Sequence, residues 1–228
     1  MTSSTWGVVI ASGKGEKFGP DIDTAFLNIG SRPVLTYTLS AFEHCSDIEG
    51  VVIVGPKERL ENIRVMVQMF GCYKVKKIVA GTNHRLSSVL HGLKALDKDV
   101  GNVVIHDASR PLVKADQLSD VIKSAKKNGS GVLASPVTDH VKLAKKGAKV
   151  TEALDSEGLW AVRAPQAFKY PVILKAMETA TKKKADIAED SAALALIKQD
   201  VYLVATDRPD LRISGPSDLV LAEFLLRS

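Results

Sequence analysis

Residues 8–18 of this 228-residue chain form the pattern with the clearest chemical meaning. They read Val-Val-Ile-Ala-Ser-Gly-Lys-Gly-Glu-Lys-Phe, so an apolar run breaks into a glycine-rich turn that carries Lys14 and Lys17. After a buried strand, such a turn presents backbone N–H groups and cations in one direction. Amides and cations together are suited to hold a polyphosphate. The alternative is an ordinary glycine turn at a strand end.

Spacing separates the classes of glycine loop that bind nucleotides. A P-loop requires Gly-Lys followed by Ser or Thr after four intervening residues, and Gly13-Lys14-Gly15 does not supply this. A dinucleotide-binding loop requires a third glycine, but Phe18 stands at that position. It also requires an acidic residue after the second strand, and the chain has none there. The remaining class is the looser Gly-x-Gly-x-Lys/Arg loop of nucleotidyltransferases.

A second set of candidate residues, His106 to Pro111, follows the fourth predicted strand. Asp107 ends this strand, and a carboxylate there suits a Mg²⁺ ion that keeps several waters and contacts phosphate oxygens. The alternative is that Asp107 caps the next turn or pairs with Arg110. Arg110, fixed by Pro111, is suited to bind a phosphate in a bidentate way. His106 can act as a base, but packing at the strand end is the simpler interpretation.

Two further polar segments lie at predicted strand ends. Gly81 to Arg85 follows the third strand and leads into Ser87 and Ser88, and residues 207–212 surround the last strand. Ligands of an open parallel sheet bind beyond the carboxyl ends of its strands. We therefore expect the glycine loop, the Asp107 segment and these two segments to meet in one site.

The elements that must position these residues alternate between strands and helices. Five apolar segments predict strands, at Gly7–Ala11, Val51–Val54, Val75–Ala80, Val103–Ile105 and Val132–Ala134. Between them, apolar residues recur at helical spacing, as at Leu35, Leu39 and Phe42. This alternation predicts an α/β fold, a doubly wound, mostly parallel, Rossmann-like sheet with helices on both faces.

The alternation is interrupted after Ser135. Residues 136–158 are polar and rich in lysine, and two weakly alternating stretches within them predict a protruding β-hairpin arm. Since an isolated hairpin cannot bury its apolar face, the arm is expected to pack on another subunit. The alternative is a mobile loop. The elements predicted beyond the arm are helices from Pro171 and near Ser191–Ile197, strands at Val201–Val204 and Leu211–Ile213, and a closing helix through Leu219 and Leu226.

Composition limits the classes of protein to which the chain can belong. Its length fits one domain, and its 45% hydrophobic and 25% charged content is that of a soluble globular protein. Aromatic residues make up 5%, and no basic stripe is interleaved with them, so nucleic-acid binding is not expected. The sequence has no apolar run of membrane-spanning length and no export signal at its start, so we expect a cytoplasmic protein with reduced cysteines at Cys45 and Cys72.

Eight short motifs occur in order along the chain. They are Gly-x-Gly-x-Lys-Phe at 13–18, Phe-Leu-x-Ile-Gly at 26–30, Gly-x-x-x-Arg-x-x-Ser-Val-x-x-Gly-Leu at 81–93, His-Asp-Ala-Ser-Arg-Pro at 106–111, Pro-Val-Thr-Asp-x-Val-Lys at 136–142, Leu-Trp at 159–160, Pro-Gln-x-Phe at 165–168 and Pro-x-Asp-Leu at 216–219. In this combination the chain resembles the methylerythritol-phosphate cytidylyltransferase family of isoprenoid synthesis, from Trp6 almost to its last residue.

The resemblance implies a single nucleotidyltransferase domain over residues 1–228, and a homodimer whose arms exchange between subunits. It also implies CTP as substrate and Mg²⁺ as the metal cofactor. In the family's reaction a sugar-alcohol phosphate attacks the α-phosphorus of CTP and pyrophosphate leaves. No membrane or nucleic-acid partner is implied.

The resemblance also implies roles for particular residues. The loop that holds ribose and triphosphate corresponds to Ala11, Ser12, Gly13 and Gly15, and the region that contacts the cytosine edge corresponds to Gly81, Arg85 and Ser88. The metal ligand corresponds to Asp107. The residues that face the acceptor correspond to Arg110 and Asp139, and an acidic position near the site corresponds to Asp207. Thr82 replaces a second glycine that the family usually carries.

The chain departs from the family pattern at several catalytic positions. The family's catalytic lysine corresponds to Thr24, and its arm arginine to Ser156, so both positions lose a charge. Two other positions keep a charge, because the loop arginine corresponds to Lys17 and the lysine near the end to Arg212. Two threonines of the family correspond to His140 and Ala164, and His140 lies with Asp139 on the acceptor side.

The two lost charges have a predictable cost. Phosphoryl-type transfer depends on positioning and on stabilising the charge that develops on the phosphorus oxygens. Removing one stabilising donor lowers the rate by about 10²–10³, so two independent losses cost roughly 10⁴–10⁶. Lys14 in the glycine loop and Arg163 beside Ala164 are the candidate replacement cations, a hypothesis that rests on their placement alone. The alternatives are a nucleotide-binding pseudoenzyme or regulatory paralogue, and an enzyme with a changed polyol-phosphate acceptor.

Overall fold

The computed structural model describes residues 4–13, 17–19, 22–97, 99–145 and 148–227. The strands are β1 (Ser4–Ile10), β2 (Asn28–Ile29), β3 (Arg32–Pro33), β4 (Gly50–Gly55), β5 (Val75–Ala80), β6 (Val100–Asp107), β7 (Ser130–Pro136), β8 (Val141–Lys145), β9 (Lys149–Leu154), β10 (Trp160–Lys169) and β11 (Leu203–Ala205). The α-helices are α1 (Val34–His44), α2 (Leu60–Met69), α3 (Arg85–Lys94), α4 (Ala115–Asn128), α5 (Tyr170–Lys183), α6 (Ala192–Ala195) and α7 (Pro216–Arg227). Short 3₁₀ turns cover Thr24–Phe26 and Lys57–Arg59.

The described strands include a seven-stranded sheet in the order β11-β7-β10-β6-β1-β4-β5. β1 pairs in parallel with β4 and β6, β4 pairs in parallel with β5, and β7 pairs in parallel with β11. β10 runs antiparallel to both of its neighbours, β6 and β7. The predicted doubly wound, mostly parallel sheet is therefore confirmed.

Helices cover both faces of this sheet. On one face, α1, α2 and α4 bury an apolar cluster that includes Phe42, Ile63 and Leu118. On the other face, α3 and α5 bury a second cluster with Leu93 and Met177. Helix periodicity correctly predicted these faces, because the central strands are apolar on both sides and each helix needs one apolar stripe.

Two strand assignments at the C-terminal half differ from the sequence-based prediction. β10 was not predicted, since Pro165 interrupts an apolar run and proline is unusual inside a sheet. The structure accommodates it with a register shift between Val162 and Gln166 in the pairing with β7. The strand predicted at Leu211–Ile213 is wrong. This segment is irregular, and Ile213 N donates to Ser109 O at 2.8 Å.

The predicted arm is confirmed as a hairpin. β8 and β9 pair antiparallel in a sheet separate from the central one. Leu143 and Val150 on this hairpin are 51% and 56% exposed. Among the described residues, no helix combines the length and the apolar character needed to cross a bilayer.

Candidate active site

The glycine loop leaves the sheet at the end of β1, between β4 and β6. Ala11 is buried, and its N–H donates to Val54 O at 2.8 Å, which fixes where the loop departs from the sheet. Ser12 and Gly13 follow at the surface of the site. Lys14 and Gly15 lie outside the described residues. The structure therefore places the first half of the predicted nucleotide loop at the carboxyl edge of the sheet.

The segment after β5 packs directly on this loop. Ser12 Oγ donates to Ser88 Oγ at 3.3 Å, and Ser88 Oγ also receives Thr82 N at 2.9 Å and donates to Thr82 O at 3.0 Å. A Cβ on Gly81 would lie 2.8 Å from Ser12 Oγ and 3.0 Å from Ser88 Oγ. Any larger residue at Gly81 would push these groups apart. Ser12, Gly81 and Ser88 are thus brought together as the sequence predicted.

Asp107 and Arg85 form the charged centre of the site. Arg85 Nη1 contacts Asp107 Oδ1 at 2.5 Å, and the same guanidinium makes a bidentate pair with Asp190, with Nη2–Oδ2 2.6 Å and Nε–Oδ1 3.2 Å. Burial alone would raise the pKa of Asp107, but the charge and hydrogen bond of Arg85 outweigh it and hold that pKa below its ordinary value of 3.8. Asp107 is therefore a carboxylate.

A further arginine, Arg110, lies beside Asp107 and shares a carboxylate partner with Arg163. Arg110 Nε is 3.7 Å from Asp107 Oδ2, and Arg110 Nη1 contacts Asp210 Oδ2. Arg163 Nη1 lies 3.2 Å from the same Asp210 oxygen, and Arg163 Nε donates to Ser135 Oγ at 3.0 Å. The Asp210 carboxylate consequently holds two guanidinium groups at one place.

His106 packs inside the fold. It is fully buried, its ring centroid lies 5.9 Å from that of Phe42, and its Nε2 is 3.1 Å from Arg110 O. Nδ1 has no hydrogen-bond partner among the described residues. Burial lowers the pKa of His106 from 6.5 to about 4, so the imidazole is neutral near pH 7. These contacts favour the packing interpretation over that of a base.

Two adjoining cavities open in front of these residues. The larger has a volume of about 320 Å³ and is lined by Gly13, Lys17, Thr24, Ser109, Arg212, Ile213 and Ser214. A smaller cleft of about 30 Å³ shares four of these residues and adds, among others, Ala11, Arg85 and Asp107. Cations, a carboxylate and the glycine loop therefore line two cavities that share part of their walls, an arrangement suited to a nucleoside triphosphate.

Comparison with known proteins agrees with this geometry. The family described as "IspD: 2-C-methyl-D-erythritol 4-phosphate cytidylyltransferase" matches residues 6–228. The chain belongs to this family. The resemblance drawn from the eight motifs is confirmed, and the chain is accordingly a CTP-dependent nucleotidyltransferase of isoprenoid biosynthesis.

Two curated members of the IspD family illustrate how fully the chain is covered. The 2-C-methyl-D-erythritol 4-phosphate cytidylyltransferase of Desulforamulus reducens is 36% identical over 223 residues, which are 96% of this chain and 94% of that protein. The enzyme of the same name from Pelotomaculum thermopropionicum is 36% identical over 97% of this chain and 93% of that protein. A solved structure, 4-diphosphocytidyl-2C-methyl-D-erythritol synthase from Anaerococcus prevotii, shares the fold with a TM-score of 0.87 over 99% of each chain, at 22% identity.

Several site residues predicted by the IspD resemblance lie apart from the charged centre. Asp139 and His140 are exposed where the chain enters the arm, and Asp207 is exposed on the segment after β11. Lys17 is exposed, but its side chain runs alongside Gly215 and it lines the larger cavity with Arg212. Among the described residues, none of the first three contacts Asp107.

Two carboxylates that organise the site were missed from the sequence. Asp190 lies just before α6 and is 2% exposed, and the Asp210 side chain is 7% exposed. Asp210 falls within the segment 207–212 that was singled out, although Asp207 was chosen there. Nothing in the sequence around Asp190 indicates that it pairs with Arg85, which is 105 residues away.

The residues around Asp107 also allow a test of the metal expected in the IspD family. Among the described residues, no group of three or more His, Cys, Asp or Glu side chains converges as a metal site. Asp107 is ionised, one of its oxygens binds Arg85, and the other lies 3.7 Å from Arg110 Nε, beyond hydrogen-bonding distance. A single carboxylate oxygen fits Mg²⁺, which takes its remaining ligands from substrate phosphates and water.

Proposed function

We propose that this site transfers the cytidylyl group of CTP to the phosphate of 2-C-methyl-D-erythritol 4-phosphate. A phosphate oxygen of the acceptor bonds to the α-phosphorus of CTP, the bond from that phosphorus to the β-phosphate oxygen breaks, and pyrophosphate leaves. The observation that carries the proposal is the family match over residues 6–228, together with a cavity in which the glycine loop meets Asp107 and Arg212.

We assign the nucleotide to the carboxyl edge of β1. Ribose and triphosphate are held by the loop residues Ala11, Ser12, Gly13 and Gly15, and cytosine lies against Gly81 and Ser88. The contact between Ser12 and Ser88 supports this arrangement, since it joins the two halves of such a pocket. The Arg85 side chain orients Asp107 in this proposal, because its guanidinium is already bound to Asp107 and Asp190.

Positive charge at the reacting phosphorus is the central requirement of this chemistry. Lys17 and Arg212 line the larger cavity and are proposed to stabilise the oxygens of the transferred phosphate. Lys14 and Arg163 are the proposed replacements for the charges lost at Thr24 and Ser156. If they serve in this way, Lys14→Ala and Arg163→Ala each lower turnover, and unchanged turnover in both variants contradicts the assignment.

A magnesium ion is proposed to accompany the nucleotide. Asp107 is the residue that would hold it, and the ion would supply charge neutralisation for the phosphates. Arg85 fixes the direction of the Asp107 carboxylate and keeps it ionised. The other residues of the site bind and orient the two substrates.

The arm is proposed to join two copies of the chain. Its hairpin forms a separate two-stranded sheet, on which the apolar side chains of Leu143 and Val150 are largely exposed. Because a two-stranded hairpin is only marginally stable alone, we propose that a second copy of the chain packs on the arm and covers these side chains. Asp139 and His140 lie at the base of the arm, and the proposal places them near the acceptor. We also propose that the reaction takes place in the cytoplasm.

One observation favours a second function, nucleotide binding without transfer. Thr24 occupies the position of the family's catalytic lysine, is 3% exposed and lines both cavities. A neutral side chain there lowers the positive charge available to the transition state. A changed polyol-phosphate acceptor is the remaining alternative, since His140, Ser156 and Ala164 all replace residues of the acceptor side.

A pair of assays separates these functions. CTP binding is measured by calorimetry with Mg²⁺, and pyrophosphate release is measured with methylerythritol, ribitol and glycerol phosphates in turn. Release with methylerythritol phosphate supports the proposed function. Binding without release on any acceptor supports the pseudoenzyme, and release with another acceptor alone supports changed specificity. Absence of CTP binding overturns all three.

A further inference from the structure

We infer that Asp210 is a positioning residue that holds Arg110 and Arg163 together as the binding pair for the phosphate of the acceptor. The inference deepens the proposed function and rests on it. It identifies the anionic subsite of this chain, and it explains how the site carries positive charge on the acceptor side although Ser156 has none.

The contacts that define the pair converge on one carboxylate. Arg110 Nη1 and Arg163 Nη1 both contact Asp210 Oδ2, and Arg163 Nη1 also donates to Asp210 O at 3.2 Å. The Asp210 side chain is 7% exposed, against 16% for Arg110 and 27% for Arg163. A buried carboxylate between two arginines fixes both guanidinium groups and leaves the group of three with a net positive charge.

Both arginines keep donors that the protein does not use. Arg110 Nε is buried and has no hydrogen-bond partner in the described residues. Arg163 donates through Nε and Nη1, and no described residue accepts from its Nη2. The Arg163 side chain is 27% exposed, so a ligand can reach its Nη2, whereas Arg110 Nε is enclosed by protein and faces Asp107 Oδ2 at 3.7 Å. A phosphate on the pair therefore bonds to Arg163 Nη2, beside the positive charge of Arg110.

The topology places the pair next to the nucleotide site and outside it. β10 is antiparallel to β6 and pairs Gln166 with Ile105, so the first residues of β10 lie at the same sheet edge as Asp107. Arg110 Nε lies 3.7 Å from Asp107 Oδ2, but neither arginine lines the two cavities around the glycine loop. A ligand on the pair is therefore a neighbour of the nucleotide, as the second substrate of a transfer must be.

The arm begins at the same point. Arg163 Nε is bound to Ser135 Oγ, and the arm starts one residue later. Arg163 is thus fixed from two sides, by β7 and by Asp210. Only a residue held in this way can present a guanidinium at a defined angle to a phosphate, because the free side chain has many rotamers.

The test compares steady-state constants for both substrates in four variants, Arg163→Gln, Arg163→Lys, Asp210→Asn and Asp210→Glu. We expect Arg163→Gln to raise the KM for methylerythritol phosphate roughly 10- to 100-fold, as for the loss of a charged hydrogen bond, with the KM for CTP changed less than about twofold. Arg163→Lys recovers part of this loss, since it keeps the charge without the planar fork. Asp210→Asn raises the acceptor KM in the same direction, and Asp210→Glu restores part of it.

Two comparisons exclude a merely structural role. Arg208→Gln removes an exposed arginine of the same chain segment, whose partner is Asp116, and it leaves both KM values unchanged. The double variant Arg163→Gln with Asp210→Asn is expected to raise the acceptor KM no more than the more damaging single variant does, because both changes break the same interaction between Arg163 and Asp210. A structural role for Asp210 would instead lower thermal stability and affect CTP and acceptor alike.

The outcomes are distinguishable from failure of the proposed function. If the wild-type chain transfers cytidylyl groups and Arg163→Gln leaves the acceptor KM unchanged, the inference is wrong and the function stands. A rise confined to the KM for CTP also overturns it, because it assigns the pair to the nucleotide. If the wild-type chain binds CTP without turnover, calorimetric titration of methylerythritol phosphate into the CTP-loaded protein replaces KM. Absence of CTP binding overturns both the function and the inference.

Discussion

Thr24 Oγ1 donates a hydrogen bond to the carbonyl oxygen of Gly13, 3.2 Å away. The bond ties the glycine loop to the 3₁₀ turn at Thr24–Phe26, and both residues line both cavities of the site. The residue that the motif resemblance matched to the family's catalytic lysine is therefore neutral and already engaged in a hydrogen bond. The positive charge of the larger cavity comes from Lys17 and Arg212 instead.

Restoring the charge at Thr24 is expected to raise activity. Thr24→Lys extends an ammonium group into a cavity of about 320 Å³, toward the space assigned to the phosphates. Since one stabilising donor contributes about 10²–10³ in rate, we expect kcat to rise about 10- to 100-fold in a loop that was not shaped for lysine. The rate of pyrophosphate release, with CTP and the acceptor both saturating, measures kcat.

The matched control for this change is Thr24→Val, which removes the hydroxyl without adding charge. It is expected to lower the free energy of unfolding by about 1 kcal/mol and to change kcat far less than the lysine does. A Thr24→Lys protein that binds CTP normally but turns over no faster than wild type would show that no cation is missing here.

Much of the fold was predictable because its signals are local. Strands such as β4 are apolar throughout, and helices such as α4 carry an apolar stripe, so each element is readable from its own residues. β10 was not, because Pro165 inside an apolar run argues against a strand and only its neighbours β6 and β7 make the strand form. The opposite error occurred at Leu211–Ile213, whose residues favour a strand. In the structure this segment is bonded to the loop after β6 instead, where Ile213 N donates to Ser109 O.

The placement of the candidate residues was predictable where a short motif lies at a strand end and unpredictable where residues distant in sequence pair. Asp107 was identified from its place at a strand end, and Gly81 and Ser88 from one motif. Asp190 was not identified, because what marks it is its ion pair with Arg85, which is 105 residues away in sequence. Asp210 was missed because two acidic residues lie close together there and nothing local distinguishes them.

Gly81 offers a test of the predicted cytosine side. A Cβ on this residue would lie 2.8 Å from Ser12 Oγ and 2.9 Å from Ser12 Cβ. Gly81→Ala is therefore expected to displace Ser12, to lower the free energy of unfolding by about 1–3 kcal/mol and to weaken CTP binding at least about tenfold. Calorimetric titration with CTP and urea unfolding measure the two effects.

Gly13→Ala is the control for the stability measurement on Gly81→Ala, since nothing lies within 4 Å of a Cβ built on Gly13. Its free energy of unfolding is expected to stay within about 0.5 kcal/mol of wild type. Equal CTP affinity in Gly81→Ala and wild type would remove Gly81 from the nucleotide pocket.

Substitutions on the arm test whether it joins two copies of the chain. Leu143→Lys combined with Val150→Lys places a charge at each of two exposed apolar positions of the hairpin, and we expect the proposed dimer to dissociate at micromolar concentration. Light scattering coupled to size-exclusion chromatography measures the mass. Phe224→Lys is the control, because Phe224 is an equally apolar residue that is 69% exposed on α7. A wild-type chain that is already monomeric, or a double variant that remains dimeric, contradicts an arm-mediated dimer.

The lowered pKa of His106 predicts how the free energy of unfolding of the metal-free protein depends on pH. Burial lowers its pKa from 6.5 to about 4, so the folded chain keeps the imidazole neutral while the unfolded chain takes up a proton between these values. The stabilisation is complete above about pH 7 and is lost progressively as the pH falls to about 4, by roughly 3 kcal/mol. In His106→Gln this contribution is absent, while the carboxylates titrate as before. Urea unfolding at pH 7.5 and pH 4.5 is therefore expected to show a smaller loss of stability in the variant. Equal losses in both proteins would mean that the folded and unfolded chains bind the His106 proton equally well, so that burial does not lower its pKa.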